Sequence, residues 1–182
     1  MAARTPERYI ALLRGVNVGG VKVPMARLTE LCDGLGWTDV KTYGNSGNVR
    51  FDATISASTV ARELEAALQG EFDRKIDVVV RTPAELGDAA QRCAANGKPS
   101  DGPKGLHVGF CNKPLPTDAF DDVDWEAVAP DHAVIDGAEL LLRYPDGMGR
   151  SKMNPQWFRK HLGKAVVCTV RSLKVIRTLS EL

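Results

Sequence analysis

Tyr9-Ile-Ala-Leu-Leu13 is a short, uninterrupted apolar run, and its reading decides the fold. A half-exposed strand alternates apolar and polar residues, whereas a continuous run marks a strand covered on both faces or nearly so. A glycine-rich loop follows over 15–23, and Pro24 suits the first turn of a helix. Met25, Leu28, Leu31, Cys32 and Leu35 recur at helical spacing until Gly36 ends the run. Residues 40–43 and 49–51 read as short strands around Gly44-Asn45-Ser46-Gly47, a tetrad with hairpin chemistry. Ser56 or Ser58 caps a second helix with an apolar face of Val60, Leu64, Leu68 and Phe72. Residues 76–80 close the set as a strand. The order is β-α-β-β-α-β, the ferredoxin-like arrangement.

Beyond this unit, Thr82-Pro83-Ala84-Glu85 is a capping box that starts a bridging helix through Leu86, Ala90 and Cys93. The stretch 94–104 is rich in Gly, Pro, Asn and Ser and reads as a linker. The same element order then recurs. It comprises a strand over 106–111, an irregular helix over 117–128 with Trp125, and strands over 133–135 and 139–144 turned at Asp136-Gly137. A helix starting at Asn154-Pro155 and a strand over 165–170 complete it. Leu173, Ile176, Leu179 and Leu182 line a C-terminal helix. The expectation is an α+β chain of two tandem ferredoxin-like subdomains with a C-terminal helix. Its parts are a first subdomain over 1–81, a bridging helix and linker over 82–104, and a second subdomain over 105–182.

Charge and cysteine usage narrow the function classes. The net charge of +1 supplies no global field to draw in nucleic acid or an anionic membrane. No apolar run approaches the roughly 18 residues of a membrane span. Cys32, Cys93, Cys111 and Cys168 form no CxxC pair, so they read as small buried hydrophobes in a reducing compartment. The expected setting is the cytoplasm, and the oligomeric state is left open.

Three segments carry more polar chemistry than a connector needs. In Arg14-Gly-Val-Asn-Val-Gly-Gly-Val-Lys22, between a buried strand and a helix start, glycines let backbone N–H groups approach a ligand. Arg14, Asn17, Gly19, Gly20 and Lys22 are its candidate contacts. The spacing is neither a Walker loop nor a dinucleotide fingerprint, and a long turn requires the same glycines. At the hairpin tip, Tyr43-Gly-Asn-Ser-Gly-Asn48, Ser46 and Asn48 are candidates, although turn geometry also calls for such residues. The third segment runs from Tyr144 to Asn154. There Arg150, Ser151 and Lys152 precede a helix start and suit a phosphate or carboxylate, or else form a solvated basic loop.

His107, His132 and His161 have no partners at metal spacing, and no serine stands in a nucleophile elbow. No catalytic residue, metal ligand or cofactor is assigned. The leading expectation is a site for a small anionic ligand, a nucleotide or another phosphorylated metabolite. The alternatives are an RNA-binding sheet, with Ser46-Gly-Asn-Val-Arg-Phe51 faintly similar to an RNA-recognition strand, and a structural or protein-interaction module.

The residues 9–20, with Lys22, Val23, Pro24 and Met25, resemble the opening signature of the domain-of-unknown-function 1697 family. Thr42-Tyr43 with Ser46-Gly-Asn-Val49 and Phe51 is similar to its second motif, and Gly149-Arg-Ser-Lys152 to its third. The chain departs from the family pattern at Asn45, where Gln is usual. It departs again at Val170-Arg-Ser-Leu173, where Thr-Arg-Asn-Trp is usual. The resemblance implies a bacterial α+β protein with ferredoxin-like subdomains, and it implies no activity.

Overall fold

In the computed structural model, which describes residues 5–19, 21–102 and 104–182, the apolar run 9–13 lies in β1 (Glu7–Leu13). β1 pairs antiparallel with β3 (Asn48–Ala53) on one side and β4 (Val78–Arg81) on the other. β2 (Thr38–Thr42) adds outside β3, giving the order β2-β3-β1-β4. Tyr9 to Leu13 are at most 2% exposed, as a strand covered on both faces requires. Their side chains alternate between faces. Tyr9, Ala11 and Leu13 share a core with Leu28 and Cys32 of α1 (Met25–Gly34) and with Val60, Leu64 and Leu68 of α2 (Ala57–Phe72). Ile10 and Leu12, on the opposite face, are fully buried as well. Each such side chain contributes about 1.5–3 kcal/mol on burial.

Local chemistry sets the element ends. Ser56, not Ser58, caps α2, its Oγ accepting from the Thr59 N–H. Pro24 stands at the N-cap of α1 in extended backbone, so the helix begins at Met25. In β2 the register shifts between Thr38 and Lys41, and Asp39 takes a positive φ of 52° there. The bulge turns the Asp39 carboxylate toward Arg8 (2.9 Å) and the buried Arg50 (2.7 Å). Arg8 and Arg50 also donate to the carbonyl of Leu182, at 3.1 and 2.6 Å.

The chain divides into two compact units, one of residues up to Leu86 with Leu179–Leu182, the other of Gly87–Thr178. The division falls inside α3 (Pro83–Asn96). That helix starts at the expected capping box: Thr82 N–H donates to Glu85 Oε2 and Glu85 N–H to Thr82 Oγ1. In the second unit, β5 (Leu106–Cys111) lies between β7 (Glu139–Arg143) and β8 (Cys168–Ser172), with β6 (His132–Asp136) outside β7. The order is β6-β7-β5-β8, antiparallel throughout. One face packs Cys111, Leu140, Leu142 and Tyr144 against α4 (Trp125–Val128), α5 (Pro155–Leu162) and the preceding loop. α6 (Leu173–Ser180) follows β8 directly. The described residues thus hold two four-stranded antiparallel sheets and six α-helices. None of these helices is long and apolar enough to cross a membrane.

Three elements differ from expectation. The helix expected over 117–128 shrinks to a single turn, because Asp124 caps it by accepting from the Ala127 N–H. The last strand begins at Cys168 rather than 165, since Gly163 leaves α5 with φ 87° and the chain stays irregular until Val167, whose carbonyl accepts from the Asn112 N–H. The stretch 94–104 is no plain tether. α3 continues to Asn96, and a 3-10 turn, Pro99–Asp101, follows. Asp101 is buried there and accepts from Arg143 in a two-pronged pair, Nε to Oδ2 at 2.8 Å and Nη2 to Oδ1 at 2.7 Å.

This pair makes a measurable demand. Asp101→Ala leaves a buried guanidinium without its carboxylate, and the expected loss is about 3–5 kcal/mol in urea denaturation. The Arg143 hydrogen bond holds the Asp101 carboxyl below its ordinary range. Its stabilisation is therefore complete above the unfolded value of about 3.9 and fades as pH falls through the lower folded value. The acid limb of the stability profile should be flatter in Asp101→Ala than in wild type.

Candidate functional site

At the end of β1 the chain turns through Gly15 (φ 68°), Asn17 (φ 58°) and Gly19 (φ 71°) before α1. Asparagine tolerates this left-handed backbone better than most side chains. Here the amide has a second use. Asn17 Nδ2 donates to the Val23 carbonyl (2.9 Å) and the Asn45 carbonyl (2.7 Å), while Oδ1 accepts from the Val23 N–H (2.9 Å). The Asn17 N–H donates to Val21 O at 2.7 Å. One residue therefore closes the loop on itself and ties it to the hairpin tip, which brings the first two polar segments together.

The tip approaches very closely. Leu13 N–H donates to Gly47 O at 2.8 Å. A Cβ on Gly47 would lie 2.6 Å from Val16 Cγ2 and 2.7 Å from Leu13 Cβ, with φ already at 72°. Asn48 is buried and donates to the Tyr43 carbonyl, so it braces the turn from inside. Ser46 is exposed at the tip.

The cations differ in how far they are committed. Arg14 is half-buried and pairs with Asp77 at 3.4 Å. Lys22 is exposed two residues before the α1 N-cap. Among the described residues, no side chain caps α1, and no acidic residue stands in its first turn. Gly20 lies outside the described residues.

The third segment belongs to the second unit, and most of its polar groups serve the chain. Ser151 Oγ accepts from the Met153 N–H (2.9 Å), and Lys152 Nζ donates to the Ala127 carbonyl (2.9 Å). Asn154 caps α5 by accepting from the N–H groups of Gln156 and Trp157. Arg150 is exposed in a 3-10 turn, Met148–Arg150. The helix start that looked available from sequence is thus covered at α5 and bare at α1.

The histidines sit in aromatic packing. His132 stacks on Trp125 at 4.3 Å, His161 lies 4.6 Å from Trp157, and His107 meets the edge of Tyr144 at 5.3 Å. Desolvation lowers the pKa of all three and favours neutral rings. Arg171 is buried and donates to Thr169 Oγ1 and the Val170 carbonyl; burial pulls its pKa down to about 10, so it stays charged at neutral pH. Among the described residues, no three His, Cys, Asp or Glu side chains gather as a metal would require. The Asp101–Arg143 pair is the polar feature that sequence reasoning missed, since 42 residues separate its members.

Two glycines separate packing from backbone strain. Gly47→Ala meets both a collision and a positive φ, and should lose about 3 kcal/mol. Gly19→Ala has open space around its added Cβ and should lose about 1 kcal/mol from φ alone. Chemical denaturation of the two variants checks the difference. Asn17→Ala should fall between them, because it leaves buried backbone groups unpaired.

A solved structure of a conserved bacterial protein from Streptococcus pneumoniae matches with a TM-score of 0.63, over 97% of this chain and 98% of that one. The two are 18% identical, so the likeness is one of fold. No curated protein matches the sequence. The family model described as "Protein of unknown function (DUF1697)" matches residues 7–140, well over half of the chain. The resemblance carried by the loop after β1 and by the hairpin tip is therefore one of descent, and the chain belongs to the DUF1697 family of proteins of unknown function.

Proposed function

We propose that the loop end of the first unit binds a small anionic ligand, a nucleotide or another phosphorylated metabolite. The observation that carries this reading is the bare N-terminus of α1. The first N–H groups of any helix lack intrahelical acceptors and carry the positive end of its dipole. At α1, among the described residues, neither a capping side chain nor an acidic residue answers them. Lys22 supplies an exposed positive charge beside them, and Ser46 is exposed at the neighbouring tip. Val18, 72% exposed on the same loop, offers an apolar surface to the uncharged part of such a ligand. Asn17 and Asn48 hold the loops rather than the ligand, and Arg14 adds field from its pair with Asp77. Arg150, Ser151 and Lys152 form a second and weaker candidate, since Ser151 and Lys152 already bond within the chain. We assign binding and no reaction.

The same proposal takes the two units as tandem ferredoxin-like subdomains in a bacterial cytoplasmic protein. The strand orders β2-β3-β1-β4 and β6-β7-β5-β8, each with two helices interleaved, support the subdomain reading. Sheets of this kind bind RNA by stacking bases on exposed aromatic rings. Phe51, the ring at the position in question, is fully buried and stacks on Trp37 at 4.2 Å in the helix-side core. That burial weighs against an RNA platform.

Thermal unfolding of wild type, Lys22→Ala and Arg150→Ala with inorganic phosphate and a panel of nucleotides tests the proposal. A ligand at a hundred times its dissociation constant stabilises by about 2.7 kcal/mol, a rise of roughly 5–10 °C for a chain of this size. The expected result is a rise in wild type and Arg150→Ala that shrinks in Lys22→Ala. A flat panel, or a rise equal in wild type and Lys22→Ala, overturns it.

A further inference from the structure

We propose that Cys111 and Cys168 form a reversible thiol–disulfide pair, oxidised by a low-molecular-weight disulfide such as oxidised glutathione. Cys111 ends β5 and Cys168 begins β8, and the two stand directly opposite each other in the antiparallel ladder. Both are thiols in this structure.

The direction of the backbone hydrogen bonds decides whether a bridge fits. Cys111 N–H donates away from β8, to Ala138 O at 2.8 Å, and the next residue, Asn112, donates to Val167 O at 3.0 Å. Hydrogen bonding alternates between the two sides of a strand, so Cys111 and Cys168 make a non-hydrogen-bonded pair. Cα atoms in such pairs lie about 4.5 Å apart, against about 5.5 Å in hydrogen-bonded ones. A disulfide accepts about 4.4–6.8 Å.

The side chains share a face. Both cysteines belong to the helix-side core of the second unit. Cys168 Sγ lies over Gly109, 2.8 Å from where a Cβ would stand, and Gly109 is two residues before Cys111 on the same face of β5. Bridging then takes a side-chain rotation at Cys168 and no change of register.

Exposure sets the order of steps. Cys168 is half-buried, whereas Cys111 is 0% exposed. The Cys168 thiolate attacks one sulfur of the external disulfide, expels one thiol and becomes a mixed disulfide. The Cys111 thiolate then attacks Cys168 Sγ and expels the second thiol. Two protein S–H bonds are lost and one S–S bond forms. The external S–S bond takes up the two electrons, and the two protons end on the released thiols. Cys32 and Cys93 stand apart, buried thiols pushed up to about 12 and about 11 by desolvation, and thiolate is the reactive form.

The test is incubation of the full chain in glutathione buffers of increasing oxidised fraction, alkylation of remaining thiols, and peptide mass mapping. The expected result is loss of two of the four thiols, a mass lower by two hydrogens, and one linked peptide pair containing Cys111 and Cys168. Cys111→Ala should stop at a glutathione adduct on Cys168 that wild type does not accumulate. Retention of all four thiols, a persistent adduct on wild-type Cys168, or a link through Cys32 or Cys93 overturns the proposal. The wild-type map decides by itself, so a poorly folded variant does not shield the idea.

Discussion

The close approach of the hairpin tip to the end of β1 governs the first unit. Leu13 reaches Gly47 by a backbone hydrogen bond, and the space between them admits no Cβ. The β1–β3 ladder can run on to its last register pair, Leu12 with Asn48, because the chain beyond it has a residue without a side chain. That register places Val49 and Phe51 in the helix-side core beside Tyr9 and Leu13. It also sets the tip where Asn17 can reach it, which fixes the loop leading into α1. A single steric constraint thus runs from the sheet to the loop and on to the start of a helix.

The two units put the same element order to different uses. In the first, both helices are long enough to cover the sheet, and one of them presents an unanswered N-terminus. In the second, α4 is a single turn, and the core is completed by rings instead. Phe120 lies 5.8 Å from Trp125 and 5.5 Å from Trp157. Aromatic side chains bury large areas per residue, so a few of them replace the apolar stripe of a helix. The Asn154 cap fixes the start of α5, the helix that carries Trp157.

Legibility in the sequence followed the range of the interaction involved. The continuous run 9–13 announced a buried strand, and Thr82 with Glu85 announced a helix start, because each signal lies within one element. The run Ala165-Val166-Val167 carries the same apolar signal as a strand, yet the paired register begins only at Cys168, with Val167 reaching Asn112 by one backbone hydrogen bond. Ala165 is exposed and the two valines are half-buried, so a short apolar run fixes neither burial nor strand pairing by itself. The candidate loops were legible as polar and glycine-rich, but not the roles within them. Whether Asn17 serves a ligand or its own chain depends on where Asn45 sits, 28 residues away. Lys152 is taken up by a carbonyl 25 residues before it, which no local pattern records.

The four residues Leu179–Leu182 belong to the unit that begins the chain. The Leu182 carbonyl sits between Arg8 and Arg50, 174 and 132 residues distant in sequence. Synthesis runs from the N-terminus, so the first unit emerges from the ribosome long before the segment that completes it. Until then Arg50 lacks the acceptor that its buried Nη1 finds in the finished protein. The second unit, made of one continuous stretch, has no such wait. The first unit is therefore completed by a segment made after the whole of the second, and contacts of this span are the ones that slow folding.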